Sequence, residues 1–340
     1  MAGQTPPTPP TPPLRYLDAA AVRAAMPPVE ERLALAERTM TALATPGAAE
    51  LPAKIAIHPR SPDSFVHAMP AHLRGSGADG AADLVGVKWV AGFAANNALG
   101  LPSISALILV NDPITGVPVA ILDGGPVTAE RTAAVSGVAI RRFAPRVSGR
   151  PTRAGLIGAG VQGISHLPVL GHVLPGVELA IFDRHPERAA ALAERAVATP
   201  GIAVARPVGS AREAVDGADV VVTAASFGPV RQVMTSDWLS PQALVVPIDY
   251  ATYCSAEVVR SAALFLVDHR EQFLATRDAG LFEDYPDPDA MLGEAILAGT
   301  ARPSGRVMVS HLGVGLADLV FADAILLAAA AGGLGIVLDR

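Results

Sequence analysis

A complete G-x-G-x-x-G, Gly158-Ala159-Gly160-Val161-Gln162-Gly163, follows the apolar run AGLI and opens a segment of helical composition. In that setting Gly158 permits a tight turn and Gly160 lets the backbone approach a pyrophosphate. Gly163 allows close helix packing, and the helix N-terminus holds the anion. A second apolar run, ELAIFD, ends in Asp183, at the distance expected of a carboxylate that bonds ribose hydroxyls. The pattern points to a dinucleotide, and Asp183 favours NAD(H) because it repels a 2'-phosphate. NADP(H) stays open through Arg184, which either accommodates that phosphate or is a solvated charge at a strand end.

Three cations stand in unusual settings. Lys88 interrupts the apolar run GVKWVAGF, where burial without an anionic partner is costly, Arg131 opens a helix in TAERTAAVSG, and Lys54 begins another β-rich run. Converging on one pocket, they suit a substrate carboxylate, with Arg offering a fork and Lys a point charge. Taken singly, Lys54 is equally an ordinary surface charge or ion pair, and Lys88 and Arg131 are so less readily. Asp249, in LVVPIDYAT, follows a buried run and is expected at the carboxyl end of a sheet, placed to exchange a proton with a substrate amine; a loop cap is the plainer alternative. His67 sits between apolar residues in FVHAMP and reads as a core or edge histidine unless it faces the same cleft. No histidine pair has metal-ligand spacing on a helix face, so no metal is expected.

The elements that must position these residues fall into two kinds. Asp18 to Met26 and Val29 to Ala44 read as helices, followed by short β-rich runs between Lys54 and Leu122, with Asn111 to Gly116 as a hairpin turn. An Ala-rich helix is expected from Thr128 to Phe143, with Thr128 as N-cap and Arg131 in its first turn. Beyond APRVSGRPTR, strand and helix alternate through AGLI, ELAIFD, IAVA, DVVVTAA, ALVVPID, LFLVD and RVMVSHL, the rhythm of a doubly wound parallel sheet. The fold class is α/β: a Rossmann-type domain over residues 151–313 plus an α+β substrate and dimerisation domain over residues 14–150. A C-terminal helix, 314–340 at its widest and Leu316 to Ala331 in its clearest part, packs back on the latter. Residues 1–13 read as a Pro-rich, extended, disordered leader without the features of a signal peptide. The apolar stretch Ala324 to Leu338 is too short to span a membrane and reads as a buried helix.

Composition narrows the function classes. The chain has 340 residues, 51% hydrophobic and 17% charged, which fits about two domains and excludes disorder over most of its length. A net charge of -6 gives no footprint for nucleic acid. The single cysteine, Cys254, excludes an internal disulfide and fits a cytoplasmic protein. The expected partner is a small molecule, with no nucleic acid and no membrane.

The run VGVKWVAGFAANNALGLPSISALILVNDPITGVPVAILDGGPVTAERTAA, followed by LIGAGVQGISHL, resembles the ornithine cyclodeaminase and mu-crystallin family. The resemblance extends from about Lys54 to the C-terminus, through K-W, N-x-x-x-G-L-P, D-x-x-T-G, T-A-x-R-T-A-A and G-A-G-x-Q. It implies a homodimer with an active site between two domains, and NAD(P)(H)-dependent chemistry at the C–N bond of an amino or imino acid. By the same resemblance, Lys88 and Arg131 bind the substrate carboxylate, with Lys54 near a helping arginine's position. Thr132 reaches the cofactor phosphates, Ser103 lines the nicotinamide side, and Gln162, Asp183 and Thr223 belong to the cofactor side. Asp249 takes the place of the acid/base aspartate. Three departures stand out: His67 replaces a common glutamate, Ile248-Asp249-Tyr250 replaces G-D-C, and Ala225 replaces a second threonine. The first two count against ornithine specificity. An amino-acid dehydrogenase or imine reductase is therefore the leading expectation. Behind it stand an ornithine- or lysine-type cyclodeaminase releasing ammonia with catalytic NAD, and a non-catalytic NAD(P)H-dependent binding protein.

Overall fold

Period-two burial along Leu84–Phe93, with Gly86, Lys88, Val90 and Gly92 facing in, marks a strand with one covered face. The computed structural model describes residues 12–61, 64–75, 83–226 and 232–340. Its first part runs β1 (Leu14–Leu17), α1 (Ala19–Ala24), α2 (Val29–Ala44), β2 (Ala49–Glu50), β3 (Ile55–Ile57), β4 (Ser64–Leu73), β5 (Leu84–Phe93), β6 (Ile104–Asn111), β7 (Pro118–Asp123) and α3 (Gly124–Phe143). The second runs β8 (Arg153–Ile157), α4 (Val161–Val173), β9 (Val177–Phe182), α5 (Pro186–Val197), β10 (Ile202–Pro207), α6 (Ala211–Val215), β11 (Val220–Thr223), β12 (Leu244–Pro247), α7 (Ala256–Arg260), β13 (Leu264–Val267), α8 (Arg270–Asp278), β14 (Ala290–Met291), α9 (Leu292–Leu297) and β15 (Val307–Ser310). Helix α10 (Gly315–Ala331) and β16 (Ile336–Leu338) close the chain.

Two eight-stranded sheets result. The first, ordered β16-β1-β7-β6-β5-β4-β2 with β3 paired to β4, is antiparallel except where β1 runs parallel to β7. The second, ordered β10-β9-β8-β11-β12-β15-β13-β14, is wholly parallel, and the strand order reverses direction between β8 and β11. Helix α3 lies between the sheets, against β6 of one and β12 of the other, and this is why it is Ala-rich: nearly every face is covered. At Gly137 a Cβ would lie 2.5 Å from both Leu33 on α2 and Val169 on α4, so the three helices meet at close range there.

Three expectations are corrected. Helix α3 begins at Gly124, because Asp123 caps the amide of Gly125; Thr128 is an interior residue whose hydroxyl bonds Gly124 O, and Arg131 lies in the second turn. The C-terminal segment is not one helix over 314–340. Helix α10 stops at Ala331 before Gly332 and Gly333, and β16 pairs antiparallel with β1, a strand that adjoins the Pro-rich segment. Nor is Ala324 to Leu338 a buried helix, since Leu327 and residues 332–338 are largely exposed. Among the described residues no helix is long and apolar enough to cross a membrane. Of the expected leader, residues 1–11 lie outside the described residues.

Candidate active site

The carboxyl ends of the parallel strands gather the chemistry. Gly158 follows β8, Asp183 follows β9, Thr223 ends β11, Asp249 lies two residues past β12, Asp268 follows β13 and His311 follows β15. This edge, at the point of strand-order reversal, is where ligands bind in such sheets.

The glycines of the β8–α4 turn differ in what surrounds them. Gly158 has φ +106°, and a Cβ there would stand 2.3 Å from Ala224 O. At Gly163 a Cβ would stand 2.2 Å from Gly158 O, whereas at Gly160 none of the surrounding atoms comes within 4 Å. The first and third glycines are thus demanded by the protein's own packing. The second leaves an open cradle beside exposed Val161, under an α4 N-terminus with no side-chain cap, the arrangement that receives an anionic group. Asp183 accepts from the amides of Ala159 at 2.8 Å and His185 at 2.9 Å, which fixes its carboxylate at the rim; Arg184 is exposed beside it. These residues fit a dinucleotide.

Facing this edge is the covered side of the first sheet. Lys88 (2% exposed) and Arg131 (5%) converge on Asp318 of α10, with Lys88 Nζ at 3.0 Å and Arg131 Nε at 3.1 Å from the same oxygen, Oδ1. Asp318 Oδ2 has no hydrogen-bond partner among the described residues. Burial alone would raise Asp318, yet Arg131 and Lys88 hold it below the usual carboxylate range. Burial pushes Lys88 down to about 8 against the pull of Asp318. Two cations sharing one carboxylate oxygen leave an excess of positive charge in a site closed to bulk water. The Arg131 guanidinium packs over Gly313, where a Cβ would lie 2.4 Å from Nη1. Lys54, just before β3, donates to Leu312 O at 3.0 Å and is pushed to about 8 by burial, against Asp268.

His67 stacks on Phe65 at 4.5 Å and pairs in register with Val90, two residues from Lys88. Burial, with Lys54, His58 and Lys88 adding repulsion, pushes it to about 4, so it is neutral at pH 7 and belongs to the cationic wall rather than to an isolated core.

Asp249 (1% exposed) accepts from Thr223 Oγ1 at 2.7 Å and from Ala225 N at 3.2 Å. Burial raises it to about 7, the range of a group that exchanges protons at neutral pH. Thr223 is fully buried and donates its hydroxyl to Asp249, so it orients that carboxyl. Tyr250 adopts φ +57°, a left-handed conformation that costs a non-glycine residue about 1–2 kcal/mol. Ser103 is half-buried next to the 3-10 turn Ala94–Leu99, its carbonyl paired with Phe93 N. Thr132 is buried on α3 and bonds Thr128 O; Gln162 occupies the first turn of α4.

The sequence reading missed Asp318 and Asp268. Asp318 carries the same signal as Lys88, a charge inside an apolar run, here GLADLVFADAIL. Asp268 ends LFLVD as Asp249 ends its own run, and it accepts from Gly313 N at 2.8 Å, holding the turn that backs Arg131. Among the described residues no group of three His, Cys, Asp or Glu could hold a metal ion.

Comparison with known proteins places this geometry in context. The profile of the Ornithine cyclodeaminase/mu-crystallin family matches residues 19–294. The chain is 34% identical to nodulation efficiency protein NfeD of Rhizobium meliloti, covering 86% of this chain and 88% of the relative. It is 30% identical to ketimine reductase mu-crystallin of Mus musculus, covering 76% and 78%. Among solved structures, Thermococcus litoralis Δ1-pyrroline-2-carboxylate reductase in complex with NADH and L-proline superposes with TM-score 0.81 at 27% identity, covering 95% of this chain and 99% of that one.

Proposed function

The chain belongs to the ornithine cyclodeaminase/mu-crystallin family, and from that premise we propose that it is an NAD(H)-dependent oxidoreductase acting on the C–N bond of an amino or imino acid. The observation that carries this reading is the buried Lys88–Asp318–Arg131 cluster on one wall and the near-neutral Asp249 at the sheet edge, beside an open glycine cradle. Residues 14–150 hold the substrate and residues 151–313 the cofactor. Gly158, Gly160, Val161, Gln162 and Gly163 cradle the pyrophosphate, Thr132 reaches the phosphates once its hydroxyl turns from Thr128 O, Ser103 lines the nicotinamide side, and Asp183 binds the ribose, favouring NAD(H) over NADP(H) despite Arg184. The relative solved with NADH and L-proline supports the pairing of a nicotinamide with a cyclic imino or amino acid.

When bound, the nicotinamide supplies a hydride acceptor or donor for the carbon next to the carboxylate. The chain's own residues do the rest. Lys88 and Arg131 hold the substrate carboxylate with their excess charge, and Lys54 adds a third cation from the sheet edge. Asp249, held by Thr223 and Ala225 N, exchanges the proton at the substrate nitrogen: ionised, it accepts one during oxidation; protonated, it donates one during reduction. Burial of Lys88, Arg131 and Asp249 keeps water from the reacting centre. The stripe Ile55, Trp89, Leu107, which lies in register across the outer face of the first sheet and is 64%, 50% and 47% exposed, supports a homodimer.

The test is one assay with purified protein, NAD and a panel of alanine, proline, ornithine and lysine, following NADH and ammonia together, with the reverse reaction run on Δ1-pyrroline-2-carboxylate. Stoichiometric NADH or imine-dependent NADH oxidation supports the reading. Ammonia without net NADH would establish a cyclodeaminase instead, and NADH binding without turnover would establish a binding protein.

A further inference from the structure

Ser136 lies one turn beyond Thr132 on α3, on the same stripe. Its buried hydroxyl is 2.9 Å from His166 Nε2 on α4 and 2.9 Å from His311 Nε2 after β15. His166 Nδ1 is 2.7 Å from Gln162 O, in the first turn beyond the glycine cradle. Ser136 and His166 are 0% exposed and His311 is 3%.

The direction of every bond follows from donor arithmetic. A carbonyl only accepts, so His166 Nδ1 carries a proton. Burial pushes His166 to about 4 and His311 to about 3, and each ring therefore carries one proton at neutral pH. His166 Nε2 is then a lone pair that accepts from the Ser136 hydroxyl. That hydroxyl has its single proton committed, so its oxygen accepts from His311 Nε2–H. His311 Nδ1 is left as a bare acceptor, and it is indeed a buried atom with no partner among the described residues.

The two ends of this chain lie at the two halves of the site. One is Gln162, next to the cradle. The other is His311, followed by Leu312, whose carbonyl holds Lys54, and by Gly313, which backs the Arg131 guanidinium. We propose that Ser136, His166 and His311 are positioning residues, a one-directional hydrogen-bond chain that ties the first turn of the cofactor cradle to the turn behind the substrate clamp, so that occupancy of either site tightens the other. This rests on the nicotinamide reading above. Because each bond admits one direction only, a shift of the first turn of α4 on binding an anion is passed to His311 rather than absorbed by a rotating hydroxyl, and the coupling is reciprocal.

Two measurements on the full chain test it. Long-range 1H–15N correlation of histidine-labelled protein at pH 7, assigned with His166→Gln and His311→Gln, is expected to show His166 as the Nδ1–H tautomer and His311 as the Nε2–H tautomer. Either tautomer reversed, or either ring charged, overturns the chain. NADH titration by fluorescence, alone and with L-alanine, L-proline or L-ornithine, then reads the coupling. At least one amino acid is expected to tighten NADH by about 5- to 10-fold in the wild type, the effect vanishing in Ser136→Ala and returning in Ser136→Thr. No coupling in wild type that binds NADH, or coupling undiminished in Ser136→Ala, overturns the proposal. Folded wild type that binds no NADH overturns the nicotinamide reading itself, and the titration without amino acid separates the two failures.

Discussion

At the residue scale, burial sets the protonation states on which the proposed chemistry depends. Asp249 is lifted from 3.8 to about 7 by burial, with Thr223 and Ala225 N pulling the other way. In the direction of amino-acid oxidation it must be ionised, so kcat/KM should rise with pH to a plateau above about 7. For imine reduction it must be protonated, and kcat/KM should fall through the same value. Both limbs should vanish in Asp249→Asn, whose residual rate should be flat across this window; a limb that persists would assign the titration to another group. The stability consequence has a definite sign. A carboxyl whose pKa is raised in the folded state disfavours folding as pH climbs from about 4 through 7, so Asp249→Asn should gain stability relative to wild type over that interval, read as urea midpoints at pH 4 and 8. On the opposite wall, Arg131→Ala removes the fork while leaving Lys88 on Asp318. It should lower kcat/KM by roughly 10- to 150-fold, the worth of a charge-assisted hydrogen bond, while NADH still binds; an unchanged kcat/KM would remove Arg131 from the clamp.

Among the elements, the β8–α4 turn separates two glycines that packing demands from one that it leaves open. Gly158→Ala places a methyl 2.3 Å from Ala224 O at a φ of +106°, and Gly163→Ala places one 2.2 Å from Gly158 O. Both should be destabilised by about 1–3 kcal/mol, the usual range for forcing atoms into packed backbone. Gly160→Ala meets nothing within 4 Å and has a φ of -82°, so its melting temperature should match wild type while NADH binding weakens. Equal losses of stability in all three variants would show that the cradle is only a turn. Helix α3 has the complementary task. Capped by Asp123 and covered on nearly every side, it fixes Arg131, Thr132 and Ser136 between the two sheets, so the Lys88–Asp318–Arg131 cluster and the Ser136 hydrogen bonds share one support.

Across the whole molecule, the described residues cover one face of the first sheet. Its inner face packs on α3 and α10, while the outer stripe of Ile55, Trp89 and Leu107 remains open. Covering that stripe with a second copy should give a particle of twice 34.8 kDa by light scattering, and Trp89→Glu should yield a folded monomer. A wild-type monomer would refute the dimer. Much of this architecture was legible in the sequence, because it is written in local patterns. Strand and helix periodicity marked the parallel sheet, G-x-G-x-x-G with Asp183 marked the cradle, and Lys88 inside an apolar run marked a buried charge in need of a partner. What the sequence left open was long-range. Asp318 meets Lys88 across 230 residues and Arg131 across 187, β1 pairs with β16 from the far end of the chain, and Ser136 joins histidines from two other elements. Local pattern fixes which face of an element is buried, whereas which buried charges and hydroxyls share that interior depends on how the faces pack, and only the tertiary structure decides it.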